Sequence, residues 1–112
     1  MTRRRLSWLA TALVVASGAS LAAWATATVH EVHQYGRAFL LVRLDIARGD
    51  VTRFINDDPF LHQMYVSSNK FSFDSDEQQP GQSIDVTWPV AGTFTVQCHI
   101  HPTMHLTVNV KR

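Results

Sequence analysis

The feature that most constrains this chain is a period of two. In "TFTVQC" (93–98) Phe94, Val96 and Cys98 occupy alternate positions, and in "HLTVNV" (105–110) Leu106, Val108 and Val110 do the same. Successive side chains of a strand leave opposite faces, so each run presents one face to a core and the other to water. The alternation groups Ile84, Val86 and Trp88 in "SIDVTW" (83–88) and His62, Met64 and Val66 in "HQMYV" (62–66). It also groups Leu40, Val42, Leu44 and Ile46 in "LLVRLDI" (40–46). "VTRFI" (51–55) and "FSF" (71–73) are further strand candidates. Turn formers divide these runs: "RGD" (48–50), "NDDP" (56–59) and the polar "DSDEQQPGQ" (74–82). No stretch after Val29 carries a helical repeat over several turns. Short strands at close spacing predict an all-β sandwich or barrel.

The first 27 residues follow other rules. Arg3, Arg4 and Arg5 precede an uncharged run from Leu6 to Val29, and the run closes on small residues, Ala23-Trp24-Ala25 or Ala25-Thr26-Ala27. A basic start, an apolar middle and a small-residue cleavage pattern are the marks of an export signal. The expected division is therefore 1–27 as an export signal peptide and 28–112 as a single domain. The run is also long enough to serve as an uncleaved membrane anchor. Cleavage after Ala27 leaves 85 residues with 7 basic against 9 acidic side chains, because three arginines go with the leader. That balance lacks the basic face that nucleic acid requires.

An exported domain with one cysteine forms no internal disulfide, which leaves Cys98 as a free thiol, an intermolecular link or a metal ligand. Its surroundings favour the last. "CHIHPTMH" (98–105) gathers the cysteine, three of six histidines and one of three methionines. By parity Cys98 points inward at the end of one strand and Met104 at the start of the next, while His62 faces inward from a distant strand. His101 sits in the turn, three residues from both Cys98 and Met104. Taken singly, Cys98 has a plain reading as a buried thiol, His62 as a turn residue and Met104 as core filling. Taken together, two imidazoles, a thiolate and a weak thioether are the ligand combination of a blue-copper electron-transfer centre.

Other groups read differently. His99 and His105 have outward parity and read as surface residues, with a second metal role or a tuning role as alternatives. His30 and His33 fall on opposite faces of an extended segment and read as surface residues. Asn56 and Asp57 shape the turn that leads to His62. Asp74, Asp76 and Glu77 read as a solvated loop, and Met64, Trp88 and Phe94 as core. An enzyme using Cys98 as nucleophile with His99 or His101 as base fits poorly, since neighbours on a strand face apart and no carboxylate orients the pair.

From about residue 33 to 110 the chain resembles cupredoxins of the plastocyanin/amicyanin type. The resemblance rests on "ARGDVTRFINDD", His62 beyond it, "AGTFTVQC" and the Cys98-x-x-His101-x-x-Met104 loop closing into "LTVNV". The wider sequence is similar to small exported methylamine-utilisation or plastocyanin-like proteins. This resemblance implies a Greek-key β-sandwich of about seven to eight strands and one copper ion, Cu(I) or Cu(II), held by His62, Cys98, His101 and Met104. It also implies a monomeric periplasmic electron carrier with transient redox partners such as a c-type cytochrome or a dehydrogenase. Ile100, Pro102, Phe60 and Leu61 then form an apolar rim around His101. A copper chaperone, storage or resistance protein with the same ligands is the competing expectation. The chain departs from the family in one position: Gln63 stands where an asparagine commonly follows the first histidine ligand.

Overall fold

A computed structural model of the chain describes residues 11, 12, 14 and 26–112. The expected export segment lies almost wholly outside them. No helix among the described residues is long and apolar enough to cross a membrane.

Eight strands form the domain: β1 (Val29–Gln34), β2 (Arg43–Ala47), β3 (Val51–Asn56), β4 (Met64–Val66), β5 (Phe73–Asp74), β6 (Ser83–Thr87), β7 (Gly92–Cys98) and β8 (His105–Lys111). They make two mixed sheets, one ordered β1-β3-β6 and the other β2-β8-β7-β4-β5. The inward residues of both sheets form one core. Val32, Phe54 and Val86 come from the first sheet, and Ile46, Met64, Phe94, Val96, Leu106 and Val108 from the second. Trp88 is fully buried among Phe71, Phe73 and Phe94, and its indole N–H donates to Thr52 Oγ1 at 2.9 Å. That bond satisfies the polar edge of the largest core side chain, which burial would otherwise penalise.

The parity reading holds along β4, β6, β7 and β8. It fails at residues 40 and 42. Leu40 is 59 % and Val42 86 % exposed, and β2 begins only at Arg43. The cause is a hairpin over 34–39, in which Gln34 pairs with Phe39 across a turn with positive φ at Gly36 and Arg37. This turn directs Phe39 inward, where it meets Phe54 edge-on at 5.9 Å. The inward set thus changes from odd to even positions between Phe39 and Leu44. Strand β1 was not foreseen, because its inward residues alternate as His30, Val32 and Gln34 and two of the three are polar.

The tight link between β2 and β3 is better marked in sequence. Asp50 N–H donates to Ala47 O at 3.0 Å across Arg48 and Gly49, with Gly49 at φ 91°. A turn that needs positive φ at its third residue selects glycine there.

Candidate metal centre

Strands β4, β7 and β8 and the loop after β3 meet at one end of the sandwich. Met64 pairs with Cys98, and Gln97 with His105, so the 99–104 loop closes directly over the end of β4. His62 stands two residues before Met64 and is held by two backbone bonds with Gln78, N–H to O at 3.1 Å and 2.7 Å. The loop over 74–82 is therefore not simply solvated. Asp74, Asp76 and Glu77 are exposed, but Gln78 is fully buried, and its side chain donates to Phe54 O and Gln82 O.

The structure brings three of the four expected site residues to a common point. His62 Nδ1 lies 3.8 Å from Cys98 Sγ, His101 Nδ1 lies 3.7 Å from the same sulfur, and the two nitrogens are 3.2 Å apart. A triangle with those sides has a centre about 2.1 Å from each corner, the length of a transition-metal bond to imidazole nitrogen or thiolate sulfur. Among the described residues no other such group of His, Cys, Asp or Glu side chains comes together. Met104 is buried in the same core at 1 % exposure, and its N–H donates to His101 O at 3.0 Å, which closes the loop.

Asp58 went unremarked in the sequence and is central here. His62 Nε2 bonds Asp58 Oδ2 at 2.8 Å, with both side chains buried. A carboxylate at Nε2 fixes the proton on that nitrogen and leaves Nδ1 with its lone pair toward Cys98 and His101. Asp58 also accepts from Gly36 N at 2.7 Å and Arg37 N at 3.2 Å. Burial raises the Asp58 carboxyl, but the bonds from His62, Gly36 and Arg37 outweigh it and hold the group below the usual carboxylate range. Asn56 builds the turn as expected. Its Oδ1 accepts from Asp58 N, and its Nδ2 donates to Phe60 O and Gln78 O.

Burial first, and then the neighbouring His62 ring and Arg37 guanidinium, hold the His101 imidazole below its usual range against the pull of Asp58. The neutral ring is the form that ligates a metal. His101 is half-buried against Phe60, centroid to centroid 5.2 Å, and Arg37 caps the other ring at 4.8 Å. Ile100 and Pro102 beside it are exposed.

Gln63 replaces the expected asparagine without untying the two loops. Its backbone carbonyl accepts from His99 N at 2.8 Å, its N–H points at Cys98 Sγ at 3.5 Å, and its side chain donates to Ser75 O. His99 is exposed, as parity requires, and stacks on Tyr65 at 3.9 Å while bonding Asp74 Oδ2 at 2.9 Å. His105 is exposed. His30 and His33 leave opposite faces of β1, and each meets a carboxylate, Asp50 at 3.0 Å and Asp57 at 2.6 Å.

Solved structures share this architecture. The chain superimposes on a methionine-to-alanine variant of amicyanin in its Cu(I) form with TM-score 0.70 and 20 % identity, over 77 % of this chain and 85 % of that one. A second methionine-to-alanine amicyanin variant gives 0.67 and 22 %, over 76 % and 82 %. The copper-containing nitrite reductase of Thermus scotoductus SA-01 gives 0.68 and 23 %, over 74 % of this chain but only 22 % of the enzyme. No family model matches the sequence, and no curated protein matches it. The domain has the cupredoxin fold.

Proposed function

We propose that this cupredoxin-fold domain is a type 1 copper protein that carries single electrons between larger redox partners in the periplasm. The observation that supports it is the His62–Cys98–His101 triangle, sized for one ion and built from the donor types that copper accepts in both oxidation states. Copper at that point supplies a one-electron couple between Cu(II) and Cu(I).

The chain's residues hold the frame still while that electron moves. Asp58 fixes the His62 ring, and the Gln63 carbonyl ties His99, next to Cys98, to the His62 loop. The buried core behind His62, Cys98 and Met104 keeps water from the inner side of the site. Met104 would supply a weak thioether to the ion. The half-buried His101 ring, packed against Phe60 and next in the chain to the exposed Ile100 and Pro102, would be the port for the electron. A small apolar rim suits a partner, such as a c-type cytochrome or a dehydrogenase, that must leave quickly.

The competing role in copper storage or handling drew on the surplus histidines. His99 is already engaged by Tyr65 and Asp74, which favours the carrier. On the same reading residues 1–27 are the export leader, and the domain is not an enzyme. Voltammetry of the copper-loaded domain and stopped-flow mixing with a reduced c-type cytochrome test it. A reversible one-electron wave with rapid exchange is expected, whereas rapid loss of the ion on reduction with no electron exchange supports copper handling instead.

A further inference from the structure

The sequence allows cleavage after Ala25 or after Ala27, and the fold gives the two resulting termini different surroundings. Thr28 N–H donates to Asp50 Oδ1 at 3.1 Å, and Thr28 O accepts from Val51 N at 2.9 Å, so the residue is pinned in register just before β1. Thr26 and Ala27 are exposed and belong to no strand. Asp50 is only 8 % exposed, and its other oxygen accepts from Ala47 N and meets His30 Nε2, both at 3.0 Å. The β2–β3 turn thus delivers a nearly buried carboxylate to the backbone nitrogen that follows the second small-residue pattern.

We infer that the leader is removed between Ala27 and Thr28 and that Asp50 is the binding site for the amino terminus so formed. An export-linked endopeptidase adds one water across the Ala27–Thr28 bond. Ala27 leaves as a carboxylate and Thr28 becomes an ammonium, with no atom or charge left over. The neutral amide donor to Asp50 is then a charged one, and hydrogen bonds between charged partners are shorter and about twice as strong. The Asp50 carboxyl is already held low, first by His30, then by Ala47 N and Thr28 N, against the opposing effect of burial. Cleavage after Ala25 instead leaves Thr28 an ordinary amide behind an unsupported Thr26-Ala27 overhang.

This inference rests on the export reading of the leader and is independent of copper. The test is to express the full chain in a bacterium that exports it, recover the periplasmic product, weigh it intact and titrate the Thr28 Cα resonance. Asp50 and His30 are the titratable side chains grouped at this nitrogen, so the His30 ring is followed in the same titration. The expected product spans 28–112, with an α-amino pKa about one unit above the ordinary value of ~7.7–8.0, and Asp50→Asn returns it to that range. A product starting anywhere but Thr28 overturns the inference while leaving export in place, and an uncut chain overturns both. A Thr28 terminus that titrates normally overturns the role of Asp50. The wild-type titration decides this alone should Asp50→Asn fail to fold.

Discussion

His62 Nε2 and Asp58 Oδ2 lie 2.8 Å apart, and neither side chain meets solvent. The pair settles which nitrogen of His62 faces the cysteine sulfur, and it joins the site to the 34–39 hairpin through Gly36 N and Arg37 N. A carboxylate behind a ligating histidine typically contributes 10–100-fold in metal affinity. Asp58→Ala is therefore expected to weaken copper binding by about that factor, measured by competition with a chelator while circular dichroism follows the fold. Unchanged affinity in a folded variant contradicts this role for Asp58.

Met104 calls for a substitution that keeps its volume. It is 1 % exposed, so truncation to alanine costs ~2–5 kcal/mol of stability and mixes folding with copper chemistry. Met104→Leu keeps the volume and is expected to cost less than about 1.5 kcal/mol. On the proposed reading the same change should shift the reduction potential, because it removes the thioether that would complete the copper ligand set. A variant with wild-type potential and spectrum takes Met104 out of the ligand set.

The exposed Ile100 beside His101 separates docking from metal binding. Ile100→Asp places a charge in the apolar rim without touching the three donor atoms. Copper affinity and visible spectrum should stay as they are, while the electron-transfer rate with the partner falls at least about tenfold, the equivalent of a 1.4 kcal/mol loss in encounter. An unaltered rate moves the port away from His101.

Asp50 carries part of the acid dependence of stability, since its carboxyl is held below its usual value first by His30. A group with a lowered folded pKa contributes stability that is complete above the unfolded pKa, about 3.9, and that is lost as pH falls through the folded value. Urea unfolding of the metal-free domain should show stability dropping below about pH 4, and Asp50→Asn should make that drop shallower. An identical acid slope in the two proteins assigns the effect elsewhere.

Much of the sandwich was legible because a strand with one buried face repeats every second residue. Phe94-Val96-Cys98 and Leu106-Val108-Val110 are apolar throughout, and both lie in the core. The signal disappeared where buried positions are polar. Strand β1 turns His30 and Gln34 inward, and Gln78 is drawn into the interior from a loop with an acidic surface. It misled at Leu40 and Val42, where a two-residue turn through Gly36 and Arg37 reverses the phase. The positions of Cys98, His62 and Met104 could be read from parity, since each shares a strand face with apolar residues. Asp58 could not, because its partners lie in the chain at Gly36, Arg37 and His62 and only the folded hairpin brings them together. The one available signal was its spacing, four residues before His62 in a run of turn formers.

The most direct measurement of the central claim is the visible spectrum of the purified domain during titration with Cu(II). The account predicts an intense thiolate-to-copper charge-transfer band that saturates at one equivalent and is absent from a folded Cys98→Ser variant. A colourless, weakly held ion, or a band that survives the loss of Cys98, contradicts it.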